Sequence, residues 1–297
     1  MIRAGVIGLG VGEQHALAYQ ALPGVELRAV CDIDPMHLDG VADRLGVERR
    51  FTEWRKITED PEIDVVSICS WDDAHAEQSI SAFQNGKHVM VEKPLCLNRR
   101  DAERVLRAQQ DSGKRVTSNL ILRKWPAFRE MRRHLGELGA IEQIAGEYRH
   151  DILWKLTNGW RSRMEGYSVT FGGGIHIIDL LRWMVGGEVS RVSSTDYRQA
   201  SVCELSFENG LRAQAFTTFV GPGFAHRLLI IGANGEAEHK DAARVKKGAL
   251  IRGFIDAIRE DREPEVSARD MFRVMDICFA CVEAAEQRRT VTVSYLI

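Results

Sequence analysis

Short β-rich runs alternate with helical runs through the first 119 residues, and this alternation constrains the fold more than any other feature of the chain. The strand-like runs are 3–7, 26–31, 65–69, 88–91 and 115–119. The helical runs are 15–22, 35–45, 75–85 and 100–112. Such alternation predicts βαβ crossovers and a parallel sheet covered by helices on both faces. Residues 1–119 are therefore expected to form a doubly wound α/β domain of the Rossmann type.

Residues 120–297 follow a different pattern. Consecutive β-rich runs with little between them are 188–198, 201–208, 211–220 and 227–231, and another run is 141–149. Asn209-Gly210 is typical of a hairpin turn, because both residues tolerate positive φ. Helical runs are 126–135, 175–184, 249–260 and 268–286, before a last strand near Val291. We expect a C-terminal α+β domain with a largely antiparallel open sheet, and the last helix and strand are candidates to pack back on the first domain.

Charge and hydropathy exclude some classes of partner. The 40 Lys and Arg residues nearly balance the 42 Asp and Glu residues, so nothing pulls the chain toward nucleic acid or an acidic membrane surface. No apolar run reaches the roughly 20 residues of a membrane-spanning helix, and no signal peptide precedes the first strand. A cytoplasmic location, small-molecule partners and self-association are expected. The six cysteines lie mostly in apolar runs, which favours free thiols, and no metal-ligand set is predicted.

The segment V-I-G-L-G-V-G covers the end of the first predicted strand and the turn after it, and it suggests a phosphate-binding loop. Gly8 and Gly10 match the first two glycines of a dinucleotide-binding turn, which allow a tight turn and a close approach of backbone to pyrophosphate. Gly12 comes one position too early for G-x-G-x-x-G, where Glu13 stands instead. We expect a loop shortened by one residue, with the helix entering at Glu13.

An acidic residue follows the second predicted strand at the spacing that ribose recognition requires. Asp32 lies about 20 residues beyond the glycines and could accept hydrogen bonds from ribose hydroxyls. Ile33 beside it offers no positive charge to a 2′-phosphate, which favours NAD over NADP. The alternative is that Asp32 is a turn or cap residue before Asp34-Pro35.

The run G-K-H-V-M-V-E-K-P contains the fourth predicted strand, 88–91, followed directly by Glu92-Lys93-Pro94. Ligands bind at the carboxyl edge of open α/β sheets, and the proline fixes the turn that carries Lys93. A partly desolvated lysine there could hydrogen-bond a substrate hydroxyl and lower its pKa. The alternative is a solvent-facing lysine paired with Glu92.

Three motifs together resemble the glucose-fructose oxidoreductase / inositol dehydrogenase / MocA family. They are G-L-G-V-G-E-Q-H at 8–15, N-G-K-H-V-M-V-E-K-P at 85–94, and G-G-G-I-H-I-I-D at 172–179, which is similar to the family's D-x-G-x-H-x-x-D. The resemblance implies an NAD-dependent oxidoreductase that transfers hydride between nicotinamide and a ring hydroxyl or ketone of a sugar, cyclitol or nucleotide sugar. It also implies a homodimer or homotetramer and a C-terminal domain for substrate binding and oligomerisation.

The resemblance assigns roles residue by residue. Lys93 and His176 are the expected catalytic, proton-transferring or orienting groups. The expected cofactor-binding residues are Gly8, Gly10, Gly12, Asp32, Ile33, Ser70, Trp71, His75, Glu92 and Lys93. Trp71 and Asp72 depart from the Thr-Pro-Asn that relatives usually carry at 70–72. The candidate substrate contacts are Arg123, Tyr148, Trp160, Arg161 and Asp179.

Gly172 is the most informative departure, because many family dehydrogenases carry an aspartate there. The glycines at 172–174 could give a bulky substrate group room to approach the backbone. Trp160-Arg161 would suit a sugar ring and an anionic group, or equally packing and an ion pair within a loop. Asp179 could orient His176 or complement the helix N-terminus. An NAD-using glycoside hydrolase and a non-catalytic sensor of NAD and sugar remain alternative functions.

Overall fold

The computed structural model describes residues 1–164, 167–197, 199–221, 223–241 and 245–297. Its contacts divide the chain into two compact units. Unit 1 is Met1–Asn119 with Lys246–Phe272, and unit 2 is Leu120–Val245 with Arg273–Ile297. The predicted domain limits, 1–119 and 120–297, stay a prediction.

Thirteen strands and ten α-helices follow in chain order through the described residues. The strands are β1 Ile2–Ile7, β2 Val25–Cys31, β3 Arg50–Phe51, β4 Val65–Ile68, β5 His88–Val91, β6 Val116–Ser118, β7 Ile141–His150, β8 Val189–Tyr197, β9 Ala200–Phe207, β10 Arg212–Thr218, β11 Phe224–Gly232, β12 Gly235–Asp241 and β13 Val291–Thr292. The helices are α1 Leu9–Gln20, α2 Pro35–Leu45, α3 Arg55–Thr58, α4 His75–Gln84, α5 Arg99–Ser112, α6 Pro126–Arg133, α7 Trp154–Thr157, α8 Ile175–Val185, α9 Ile251–Arg259 and α10 Ala268–Gln287.

The sheet of unit 1 is parallel throughout, as predicted from the alternation of strands and helices. Its strand order is β3-β2-β1-β4-β5-β6, with parallel pairing at each step. The order reverses direction between β1 and β4. In open α/β sheets ligands bind at such a switch point, outside the carboxyl ends of the strands. The segments that follow β1, β2, β4, β5 and β6 all lie at this edge.

Helix α1 begins earlier than the sequence suggested. It starts at Leu9, directly after Gly8, so the predicted helix entry at Glu13 is wrong. Two glycines within the first turns lower the intrinsic helix propensity. Tertiary contacts outweigh this deficit, because the Asp32 carboxylate accepts the Leu9 N–H at 2.7 Å. The carboxylate thereby satisfies a first-turn N–H that has no acceptor within the helix.

The sheet of unit 2 is largely antiparallel, as predicted, with strand order β12-β11-β7-β10-β9-β8-β13. The pair β7 and β10 is parallel, and the other neighbouring pairs are antiparallel. Strands β9 and β10 form the predicted hairpin. Only Gly210 of its Asn-Gly pair takes a positive φ, 88°.

Helix α8 is preceded by a π-helical turn, Thr170–Gly174, whose residues are all buried. The helix itself is almost wholly buried, in keeping with its apolar sequence. None of the six cysteines, all within the described residues, forms a disulfide. No helix among the described residues combines the length and apolarity needed to cross a bilayer.

Candidate active site

The three glycines after β1 have three different surroundings. Gly8 has φ 81°, and a Cβ built on it would lie 2.5 Å from the Cys69 carbonyl oxygen. A Cβ on Gly12 would lie 2.9 Å from Cγ1 of Val6, so Gly12 lets α1 pack closely on β1. A Cβ on Gly10 would meet no protein atom within 4 Å. Protein packing therefore requires glycine at 8 and 12, whereas Gly10 is open to an approaching ligand.

Asp32 lies at the carboxyl end of β2 beside the start of α1. One carboxylate oxygen accepts the Leu9 N–H at 2.7 Å, and the other accepts the Asp34 N–H at 3.0 Å. Asp32 thus makes the turn before Asp34, as the alternative interpretation held, whereas Asp34 itself is the N-cap of α2. A carboxylate has about four acceptor positions, so these two bonds leave capacity for ribose hydroxyls. The Ile33 side chain is 64% exposed.

The residues of this edge fit a dinucleotide. First-turn N–H groups of a helix lack intrahelical acceptors, and the positive end of the helix dipole suits a pyrophosphate. Gly10 leaves the backbone of that turn accessible. Gly8, Gly10 and the first turn of α1 would hold the pyrophosphate of NAD, and Asp32 would hold a ribose.

The segment after β4 is held by hydrogen bonds of its own. The Ser70 hydroxyl donates to Oε1 of Gln78 at 2.7 Å. His75 is fully buried, with Nδ1 2.6 Å from the Pro94 carbonyl oxygen and Nε2 3.1 Å from that of Ser70. The His75 ring therefore holds backbone, whereas Trp71 is 40% exposed at the same sheet edge.

The turn after β5 carries the predicted catalytic lysine. Lys93 is half-buried and joined to Pro94 by a cis peptide bond. The Glu92 carboxylate is buried and accepts the Asn119 side-chain N–H at 2.6 Å. Burial by itself would raise the pKa of Glu92. The His15 ring and the charges of Lys247 and Lys93 outweigh burial and hold that pKa well below its usual range.

A buried chain of polar side chains leads from α1 to Glu92. The Tyr19 hydroxyl lies 2.9 Å from the Ser67 hydroxyl, which lies 3.1 Å from Nδ1 of His15. Nε2 of His15 lies 3.4 Å from Oε1 of Glu92, long for a hydrogen bond. Tyr19, Ser67 and Asn119 were not predicted from the sequence. Asn119, a polar residue directly after a buried strand, carried a signal that could have found it.

In unit 2, His176 lies in the first turn of α8 and is 4% exposed. Its ring stacks on Tyr148 with centroids 5.9 Å apart and an interplanar angle of 15°. The Tyr148 hydroxyl lies 3.2 Å from Nδ1 of His150, and the Tyr148 ring meets His226 edge-on at 5.0 Å. The structure therefore brings predicted residues His176 and Tyr148 together, and adds His226.

The glycines before His176 make room for aromatic rings rather than for a substrate. A Cβ on Gly172 would lie 2.8 Å from Cζ of Phe219 and 2.9 Å from the Tyr167 hydroxyl. A Cβ on Gly173 would lie 2.7 Å from Cδ1 of Tyr148. The expected space for a bulky substrate group is therefore absent beside these two residues. An aspartate at 172 would displace Phe219 and Tyr167.

Arg161 lies over the two aromatic rings nearest to it in the chain. Its guanidinium carbon is 4.1 Å from the Trp160 ring centroid and 5.5 Å from that of Tyr167. Its Nε donates to the Tyr167 hydroxyl at 2.9 Å. One face of Trp160 is thus covered by Arg161. The predicted contacts of Trp160 and Arg161 with substrate stay a prediction.

Arg123 and Asp179 meet each other in the interior of unit 2. Nε and Nη2 of Arg123 donate to the two carboxylate oxygens of Asp179 at 2.9 and 2.5 Å. Their side chains are 3% and 1% exposed. Because this bidentate pair ties the 3₁₀ turn Ile121–Lys124 to α8, its evident role is structural. Substrate contact by either residue stays a prediction.

Comparison with known proteins agrees with this fold. Residues 2–120 match a family profile described as "Oxidoreductase family, NAD-binding Rossmann fold". Residues 128–238 match the profile "GFO/IDH/MocA C-terminal domain".

Individual relatives are distant. Inositol 2-dehydrogenase 3 of Saccharopolyspora erythraea is 25% identical, over 99% of this chain and 96% of its own length. Inositol 2-dehydrogenase of Salmonella typhimurium is 26% identical, over 68% of this chain and 60% of the relative. The solved scyllo-inositol dehydrogenase of Lactobacillus casei, with bound NAD(H) and scyllo-inositol, has a TM-score of 0.86 at 20% identity, covering 99% of each chain. The profile matches and the fold together show that the chain belongs to the Gfo/Idh/MocA family of oxidoreductases.

Proposed function

We propose that the protein is an NAD-dependent dehydrogenase acting on a ring hydroxyl of a sugar or cyclitol. One observation carries the proposal. At the carboxyl edge of the unit 1 sheet, the turn open at Gly10 lies beside the acceptor Asp32, and the same edge carries Lys93. NAD would supply the hydride acceptor there. The glycines would bind its pyrophosphate and Asp32 a ribose.

Lys93 is the proposed group that contacts the reacting hydroxyl. A half-buried ammonium can hydrogen-bond the oxygen and stabilise negative charge as it develops. His176 is the second proposed proton-transferring or orienting group, since imidazole titrates near neutral pH. Stacking on Tyr148 fixes the plane of its ring. Pre-set geometry of this kind lowers the entropic cost of reaching the transition state.

The relatives support a polyhydroxylated ring as the substrate class. Inositol dehydrogenases recur among them, and levoglucosan dehydrogenase of Pseudarthrobacter phenanthrenivorans is 30% identical over 65% of this chain. We propose cyclitols and sugars as first substrates and nucleotide sugars as a further class. NAD rather than NADP is the proposed cofactor, because the Asp32 carboxylate would repel a 2′-phosphate. A homodimer or homotetramer and a cytoplasmic location complete the proposal.

The test is NADH formation, followed by absorbance, with a panel of inositols, anhydrosugars, sugars and nucleotide sugars. NAD and NADP are compared for each compound. Lys93→Met should lose at least 100-fold in rate, an order-of-magnitude expectation for an acid/base group. Lys56→Met, which changes an exposed lysine of the same unit, is the matched control and should retain full activity.

Other outcomes would replace the proposal. Release of sugar from glycosides without net NADH would indicate the NAD-using glycoside hydrolase. Binding of NAD and of a sugar, without turnover of any compound in the panel, would favour the sensor.

A further inference from the structure

Two buried histidines contact the residues that flank Lys93 in the chain. His15 contacts the side chain of Glu92, the residue before Lys93, and His75 contacts the carbonyl of Pro94, the residue after it. We propose that His15 and His75 are positioning residues that fix the backbone of Lys93 so that its ammonium points at the reacting hydroxyl. This inference rests on the proposed function for its catalytic consequence, although the positioning itself is a property of unit 1.

On the first side, the Glu92 carboxylate acts as an anchor. A buried carboxylate is stable only with close partners. Here the Asn119 amide donates a hydrogen bond at 2.6 Å, and Nε2 of His15 lies at 3.4 Å, within the distance of an ion pair but long for a hydrogen bond. The Asn119 amide also donates to the Lys247 carbonyl oxygen at 3.0 Å, so the anchor reaches the later segment of unit 1. The Glu92 side chain is thereby committed to the interior, and the adjacent Lys93 is left at the sheet edge.

The His15 ring is itself oriented by the hydroxyl groups of Ser67 and Tyr19. The tautomer with hydrogen on Nε2 lets Nδ1 accept from the Ser67 hydroxyl at 3.1 Å while Nε2–H faces Glu92. The Tyr19 hydroxyl, 2.9 Å from the Ser67 hydroxyl, completes the chain. The His15, Ser67 and Tyr19 residues are each 0% exposed, so water does not compete for these contacts.

On the second side, His75 joins two segments of the sheet edge. Nδ1 lies 2.6 Å from the Pro94 carbonyl oxygen, so this nitrogen donates to the turn of Lys93 when it carries the ring hydrogen. The other nitrogen lies 3.1 Å from the Ser70 carbonyl oxygen. His75 therefore links the turn after β5 to the segment after β4.

Catalytic geometry makes such support valuable. A displacement of about 1 Å of a reacting group can cost roughly 100-fold in rate, and sites loosen when their supporting residues are lost. Both histidines are fully buried, so removing either ring should reduce kcat more than it changes the KM for NAD.

The experiment uses His15→Phe and His75→Phe, which keep an aromatic ring but lose the polar contacts. Thr58→Val is the control, because it deletes a different side-chain hydrogen bond of unit 1, from Thr58 of α3 to Ser81 of α4 at 2.9 Å. The first readout needs no cofactor. It is the rate at which acetic anhydride acetylates the Lys93 amine, measured by peptide mass spectrometry. The second is kcat and the KM for NAD.

We expect Lys93 to be acetylated several-fold faster in both histidine variants and at the wild-type rate in Thr58→Val. We also expect kcat to fall about 10- to 100-fold with the KM for NAD within about twofold. His15→Gln, whose amide can donate to Glu92, should recover most of the loss. Unchanged acetylation in the histidine variants, or an equal loss of kcat in Thr58→Val, would overturn the inference. If the wild type forms no NADH with any compound, the proposed function fails, and acetylation still decides whether the turn is held.

Discussion

The buried pair of Arg123 and Asp179 gives a prediction whose magnitude follows from the structure. Arg123→Met removes the guanidinium that donates to both oxygens of a carboxylate that is 1% exposed. The Asp179 carboxylate is then left buried without its main counter-charge. Breaking a buried pair in this way costs about 3 to 5 kcal/mol of unfolding free energy.

The double variant Arg123→Met with Asp179→Leu should recover much of that loss. Both charges are gone, so no buried carboxylate remains, and apolar replacements of buried ion pairs are often close to neutral. The coupling energy of the cycle should therefore exceed about 2 kcal/mol, within the range found for residues in direct contact.

Urea unfolding, followed by circular dichroism and tryptophan fluorescence, measures these free energies. Arg212→Met is the matched control in unit 2, because it breaks a contact to Glu204 between side chains that are 74% and 41% exposed, and it should change stability little. The structural assignment would be refuted if Arg123→Met were no less stable than this control. Wild-type stability combined with a raised KM for the substrate would make Arg123 a substrate contact instead.

Three further predictions concern unit 1. Gly12→Ala should lose about 1 to 3 kcal/mol, because its methyl would lie 2.9 Å from Val6 in a packed core. The methyl group of Gly10→Ala would meet no protein atom within 4 Å, so this variant should keep wild-type stability. Its affinity for NAD, measured by calorimetry, should fall, because the methyl group obstructs the approach of the pyrophosphate. An affinity equal to that of the wild type would contradict that approach. Burial, with the charges of Lys114 and Arg115, lowers the pKa of His88 to about 4, and its Nδ1 accepts the Arg115 N–H. The unfolded chain, with a His pKa of about 6.5, binds this proton first as pH falls. The contribution of His88 to the free energy of unfolding should therefore be fully present above pH ~6.5 and be lost as pH falls toward 4. Between pH ~7 and pH ~5 the wild type should lose about 1 kcal/mol more unfolding free energy than His88→Asn, a value halved because the ring is partly exposed. Parallel unfolding curves of the two proteins across this range would contradict that sign.

Most of the fold was predictable because local pattern and burial agree in it. The strand His88–Val91 and the helix Pro35–Leu45 lie where the sequence placed them. The predicted start of α1 was wrong, because Gly10 and Gly12 have low helix propensity. Only tertiary contacts explain why the helix includes them. Strand β12 was not predicted, because its sequence is rich in charged residues such as Glu236 and Lys240. Such a sequence is tolerated there because β12 is an edge strand of the sheet.

The candidate site was predictable in position and much less so in its contacts. The ends of predicted strands placed Gly8, Asp32 and Lys93 at one sheet edge, because parallel strands end together. The pairing of Arg123 with Asp179, 56 residues apart in sequence, is a tertiary contact that no local pattern encodes. The same holds for Asn119 and Glu92, and for the filling of the space at Gly172 by Phe219 and Tyr167.

The most direct test of the central claim is the molar ratio of NADH to oxidised product formed by the wild-type protein from its best substrate. We predict equimolar amounts, with both lost together in Lys93→Met. Product that accumulates while NADH stays at background would contradict net dehydrogenase activity. Equal rates in the wild type and in Lys93→Met would contradict the role assigned to the lysine.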